Sequence, residues 1–218
     1  MRKILKTVTA VAMAALALPT SGSCIIIDNA PIKMYMSSIG QAQNDSQTYG
    51  QIFTCPQNDI SLDSWTFYLA QNGAPLYFKF YVMAWDGFKA SGPIFFESPE
   101  VHTSVNGNVE TFTFSTGGLQ LVAGNKYVSF ISVSALFNEP PGEAVQAITA
   151  NTYAGGSFVL RSNGSNFGSL TNSSWGALND FDAAFTAVFT AVPEPSTYSL
   201  LALGVLALLG TRRLRRSS

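Results

Sequence analysis

Between residues 24 and 191 the apolar and polar side chains alternate with a period of two. Over 109–114, Glu110, Phe112 and Phe114 interleave with Thr111 and Thr113; over 127–133, Tyr127, Ser129, Ile131 and Val133 interleave with Val128, Phe130 and Ser132. Successive strand side chains point to opposite faces, so this pattern predicts half-buried β-strands. The segment 94–96 reads the same way. So does 119–122, joined to the 127 strand by the turn Ala123-Gly124-Asn125-Lys126. Further strands are predicted at 33–38, 51–54, 60–69, 76–85, 157–161 and 183–189. Each is short, rich in β-branched or aromatic residues, and bounded by turn formers. No amphipathic helical period runs through this stretch. Roughly ten short strands at close spacing predict an all-β fold, an antiparallel β-sandwich or jelly roll.

The two ends break the pattern. Residues 1–23 read as a signal peptide: Arg2, Lys3 and Lys6, then an apolar run from Val8 to Leu18, then Pro19 and the small residues Ser21 and Ser23. A lipoprotein signal competes, since Cys24 follows, but Ser21 stands where a lipobox usually carries leucine. At the other end, Val192-Pro193-Glu194-Pro195 delays any helix, because each proline lacks an N–H and restricts the residue before it. Ser196 or Thr197 then caps an apolar helix. No charge occurs from Ser196 to Thr211, a run shorter than the roughly 20 residues of an ordinary span. Arg212, Arg213, Arg215 and Arg216 follow and should stay cytoplasmic. A permanent anchor or a buried terminal helix would be the plain readings of such a segment.

This order of Pro-Glu-Pro, apolar helix and arginine cluster resembles the PEP-CTERM sorting signal. The resemblance covers only 192–218 and implies export in a Gram-negative bacterium. It implies a precursor held transiently in the inner membrane and processed by exosortase with the export machinery. It further implies delivery to the cell surface or extracellular matrix. The order of segments in the core is similar to carbohydrate-binding-like jelly-roll domains that precede such tails. Those segments are Gly50-Gln51-Ile52-Phe53-Thr54, a strand around Trp65 and Phe67, the strand end at 82–87, the 119–127 hairpin and Asp182-Ala183-Ala184-Phe185. That likeness favours a jelly roll over an immunoglobulin-like sandwich. The implied organisation is a signal helix at 1–23, one sandwich domain at 24–191, and the sorting signal with its hydrophobic helix at 192–218.

Charge narrows the partners. Residues 24–191 hold five basic residues (Lys33, Lys79, Lys89, Lys126, Arg161) against twelve acidic ones. Nucleic-acid affinity is built from Lys and Arg on phosphates, so nucleic acid is excluded as a partner. Cys24 and Cys55 are the chain's two cysteines, both in the exported part, and they predict one disulfide.

The candidate chemistry is spare. His102 is the single histidine, expected in a loop with no sequence signal for an orienting acid. Paired carboxylates suffice for glycoside hydrolysis, and acids are available, but nothing in their spacing marks a pair. Asp180 and Asp182 near the last strand are candidate contributors to a structural calcium site, an ion that prefers oxygen ligands; no other cofactor is expected. The strand 76–85 carries the best candidate surface. Its alternation sends Phe78, Phe80, Val82 and Ala84 to the core, and Tyr77, Tyr81 and Trp85 to the other face, where rings can stack on sugars. The alternative is a second layer of chain over that face. The functional expectation is a non-catalytic, adhesive or exopolysaccharide-associated surface or biofilm-matrix protein. A secreted carbohydrate-active enzyme and a purely structural matrix component are the other two readings.

Overall fold

The computed structural model describes residues 24–29, 34–41, 46–71, 73–104, 107–137 and 141–192. The expected signal helix, the apolar C-terminal helix and the sorting residues from Pro193 to Arg216 lie outside them. All described residues fall within a single unit, Gly22–Val192. None of its helices is long and apolar enough to cross a membrane.

In chain order the strands begin with β1 (Cys24–Asp28), β2 (Met34–Gly40), β3 (Thr48–Thr54), β4 (Ser61–Gln71) and β5 (Tyr77–Trp85). They continue with β6 (Ala90–Glu97), β7 (Val101–His102), β8 (Val109–Gln120), β9 (Lys126–Ser132) and β10 (Glu143–Ala150). The series ends with β11 (Phe158–Arg161), the short helix α1 (Ser169–Asn172), β12 (Gly176–Leu178), β13 (Phe181–Ala183) and β14 (Phe185–Thr190). The described strands form two seven-stranded antiparallel sheets packed as a sandwich, so the predicted class holds. In the first sheet β4 pairs β8 on one side, and β14 and the start of β10 on the other. There β1 closes on β14, while β2 and β13 close on β10. The second sheet runs β12-β11-β3-β9-β5-β6, with β7 beside β6 along β5.

The inner faces meet in an aromatic core. Trp65 stacks on Phe185 at 4.6 Å with rings 3° from parallel, and Phe80 stacks on Phe114 at 4.5 Å. Such pairs contribute about 0.5–1.5 kcal/mol beyond their area. Phe78, Phe80 and Val82 face this core, as their alternation predicts.

A second apolar cluster lies outside the second sheet. Ile52, Tyr81, Met83, Val128, Phe130 and Val159 are roofed there by Phe167, Leu170 and Trp175, which flank or belong to α1. Strands β3, β9 and β5 are therefore buried on both faces, with nearly unbroken burial. Strand β14, buried on one face, keeps its alternation. Burial on both sides is what erases a period-two pattern. The backbone of β3 also runs close to β9. A Cβ on Gly50 would lie 2.8 Å from the Cβ of Phe130, so only glycine fits there.

Several boundaries differ from expectation: the single strand expected at 183–189 is two, β13 and β14, and β1, β7 and β12 were not among the expected strands. Segments 109–114 and 119–122 are not separate strands. One strand, β8, runs through, with Gly117 and Gly118 at φ +68° and +77° where the register against β4 shifts. Only glycine adopts that conformation cheaply, so the pair bends the strand without ending it. Strand β10, absent from the expected set, carries the pairings to β2, β4 and β13.

Candidate ligand-binding cleft

The strip predicted on β5 is not an open surface. Tyr81 is 1% exposed, stacked on Phe130 at 5.1 Å and tilted against Phe167 at 4.9 Å. Burial first, and the charge of Glu97 second, push its phenol well above the ordinary range. Trp85 is half-buried and stands edge-on to Trp175 at 5.7 Å. The Trp175 indole N–H donates to the Leu170 carbonyl at 2.8 Å, which pins the roof. Tyr77 is half-buried beside His102. The three aromatics therefore do not form one face open to a sugar. Phe167, Leu170 and Trp175 cover Tyr81 and reach Trp85, the second layer of chain expected as the alternative, while Tyr77 sits against His102 on β7.

The other expected sites also resolve. Cys24 and Cys55 are free thiols, not a disulfide. Cys24 opens β1 on the exposed edge of the first sheet, opposite Thr190. Cys55 leaves β3 in the second sheet, buried, with its N–H on the Asn125 carbonyl and its own carbonyl accepting from Gly124. Burial pushes its thiol up to about 11. Asp180 and Asp182 do not make a calcium site. Asp180 is exposed, whereas Asp182 is fully buried. The oxygens of Asp182 accept from Gln51 Nε2 and from the backbone N–H groups of Thr152 and Tyr153, each at 2.9 Å. Among the described residues no three His, Cys, Asp or Glu side chains converge as metal ligands. His102 lies on β7, exposed, its Nδ1 3.2 Å from the Thr103 carbonyl oxygen.

A cleft opens elsewhere, along the side of the sandwich where β6 and β7 of one sheet part from β8 of the other. Its volume is ≈ 390 Å³. Phe96 and Val101 line one wall, and Phe112 and Phe114 the other. These rings are braced from below: Phe96 and Phe114 against Phe80, Phe112 against Phe78 at 5.1 Å. Ser98 fixes the first wall, taking the Phe80 N–H at 2.9 Å and donating to the Pro99 carbonyl at 2.7 Å. Thr111, Thr113 and Ser115 complete the lining on β8, but alternation sends their side chains to the face opposite the Phe112 and Phe114 rings, where the Thr113 and Thr66 hydroxyls meet at 2.9 Å. Among the described residues β8 pairs only with β4. Alternate backbone N–H and C=O groups of its other edge therefore face the cleft side. None of the described residues lining the cleft carries an ionisable side chain. The arrangement offers apolar rings beside backbone donors and acceptors. The alternation at 109–114 and the aromatics at 94–96 were visible in the sequence; that they face each other was not.

Residues 191–216 match the family model of the PEP-CTERM protein-sorting motif. The chain thus carries a protein-sorting motif, which implies exosortase as its processing partner and export to the cell surface. No curated protein matches the chain. Among solved structures it is similar to the clostridial cysteine protease Cwp84 after propeptide cleavage. Identity there is 12%, with 78% of this chain and 40% of that one covered at a TM-score of 0.50. The cysteine protease and lectin-like domains of Cwp84, a surface-layer-associated protein of Clostridium difficile, align at 11% identity. That alignment covers 67% of this chain and 32% of that one at a TM-score of 0.45. The chain therefore spans less than half the length of either. At such identity the likeness speaks for the fold alone.

Proposed function

We propose that this is an exported surface or matrix protein whose sandwich associates with extracellular polysaccharide, without catalysis, through the β6–β8 cleft. The observation that carries the reading is the cleft's chemistry. Braced phenyl rings suit the apolar faces of sugar rings, and the backbone edge of β8 suits their hydroxyls. General acid–base hydrolysis would need a carboxyl pair, and the described lining supplies none. The processing partner is exosortase, followed by residence on the surface or in the matrix of the cell.

The test is a glycan array and affinity electrophoresis on the mature protein, with Thr111→Arg and Ser115→Arg as variants that crowd the β8 edge. Both positions are exposed, so the fold should tolerate them. Each should weaken retention by about tenfold, or 1.4 kcal/mol, with an unchanged melting temperature. Equal retention by wild type and both variants would overturn the cleft assignment. Release of reducing sugar would favour the enzyme. Matrix incorporation without any glycan binding would favour the structural component.

A further inference from the structure

Both ends of the described domain and two of its three most exposed large apolar side chains, Phe88 and Val122, lie at one end of the sandwich; the third, Ile26, stands in the middle of the edge strand β1. Cys24 pairs with Thr190, Thr190 with Ser61, and Ser61 with Gln120, so β1 begins and β14 ends there. The connections 55–60 and 121–125 cross to the other sheet at this same end. They are tied by Leu121 N–H to Ile60 and by Gly124 N–H to Cys55. The 86–89 hairpin belongs to it too, since Ala84 lies opposite Tyr127 at the start of β9.

Two turn tips at this end carry apolar side chains where turns usually carry polar ones. Phe88 is 71% exposed and Val122 is 60% exposed. Neither tip is loose. Asp86 accepts from the N–H groups of Phe88 and Lys89, both at 2.9 Å, and holds Phe88 outward. Val122 donates to the Tyr127 hydroxyl at 2.9 Å, and its carbonyl accepts from Asn125. Val192, where the described chain ends, is a further exposed apolar residue. Lys89 and Lys126, two of the five cations of residues 24–191, also lie here, with the exposed Asp86 carboxyl beside Lys89. At the opposite end Val109 is the large exposed apolar residue among the described ones.

What covers this end follows from where the chain goes next. Seven residues, 191–197, separate β14 from the apolar run that starts at Tyr198. Fully extended they reach about 25 Å. A tether that short keeps the end at an effective concentration on the order of millimolar against whatever receives the apolar run, so modest contacts suffice. We propose that, before exosortase acts, this end of the domain rests on the phospholipid bilayer, with Phe88 and Val122 seated in its interface. The proposal rests on the reading of 192–218 as a membrane-inserted sorting signal. Phe88 and Val122 supply apolar area, and Lys89 and Lys126 face anionic headgroups. Removal of the tail ends the tether, and the same contacts become too weak to retain the domain.

The experiment places the full-length precursor in nanodiscs of phosphatidylcholine and phosphatidylglycerol and follows hydrogen exchange at 86–89 and 121–125. Exchange at both turns should slow by about fivefold relative to the tail-less domain in solution, reading local protection. A Phe88→Ser, Val122→Ser double variant should still insert by its tail and lose that protection. Both positions are exposed, so the variant keeps its core. Co-purification with the discs and unchanged exchange at both turns would overturn the proposal alone. A precursor absent from the discs would overturn the insertion reading, and the proposal with it.

Discussion

Replacing Asp182 by alanine should unlock the two sheets. Asp182 sits on β13 of the first sheet, and Gln51 on β3 of the second; both are fully buried. The carboxylate takes Gln51 Nε2, Thr152 N–H and Tyr153 N–H, and Gln51 Oε1 in turn takes the Ala183 N–H at 2.7 Å. A hydrogen bond to a charged group contributes about 1.5–3 kcal/mol, and a buried donor left unpaired costs about 1–3 kcal/mol. Two of the three donors are partly compensated. Gln51 Nε2 keeps the Ile52 carbonyl at 3.1 Å, and Thr152 is exposed enough to regain water. The net loss is then about 3–5 kcal/mol, a large share of the roughly 5–15 kcal/mol that holds a domain together. At about 2–4 °C per kcal/mol the melting temperature should fall by roughly 6–20 °C, read by near-ultraviolet circular dichroism and urea titration. Asp182→Asn should cost less, since its carbonyl still serves the two backbone donors. Pairing Asp182→Ala with Gln51→Leu should give a non-additive cycle of about 1 kcal/mol or more. A drop under about 2 °C for Asp182→Ala, or strict additivity, would refute the inter-sheet lock.

Tyr81→Ala should cost about 3–5 kcal/mol as a core truncation, and calorimetry that found it as stable as wild type would return Tyr81 to the surface. Gly50→Ala should destabilise by about 1–3 kcal/mol, because the new methyl meets Phe130 across the strand pair; denaturant midpoints decide it. At pH 8 iodoacetamide should label Cys24 readily and Cys55 only on unfolding, as burial lifts the Cys55 thiol to about 11. Since the folded value lies above the unfolded one, that thiol's contribution is full below the unfolded pKa and falls as pH climbs toward 11. A Cys24–Cys55 cross-link in non-reducing peptide maps would contradict the free thiols. Intact mass of the mature protein from a host with the sorting enzyme should lack residues 200–218, and their recovery would argue for a lasting anchor.

Sequence alone determined the features that depend on neighbouring residues. The order of prolines, apolar run and arginines at 192–218 is a local pattern, and it was legible without any fold. So was the all-β class, because alternation is a property of each strand, and so was the inward face of β5 at Phe78, Phe80 and Val82. Tertiary structure decided everything that needed a partner far along the chain. Strand β10, Glu-Ala-Val-Gln-Ala-Ile-Thr-Ala, is full of residues that favour helices, and only its pairings to β2, β4 and β13 make it a strand. The outer face of β5 looked like a binding strip because alternation shows that a side chain leaves one core, not that a second layer covers it. Cys24 and Cys55 looked like a pair because counting thiols ignores which sheet each occupies. The Phe96–Phe114 cleft and the Gln51–Asp182 bond join segments that are remote in sequence. Their geometry is set by how two sheets pack, and that packing is chosen by the summed burial of both faces, which no single segment encodes.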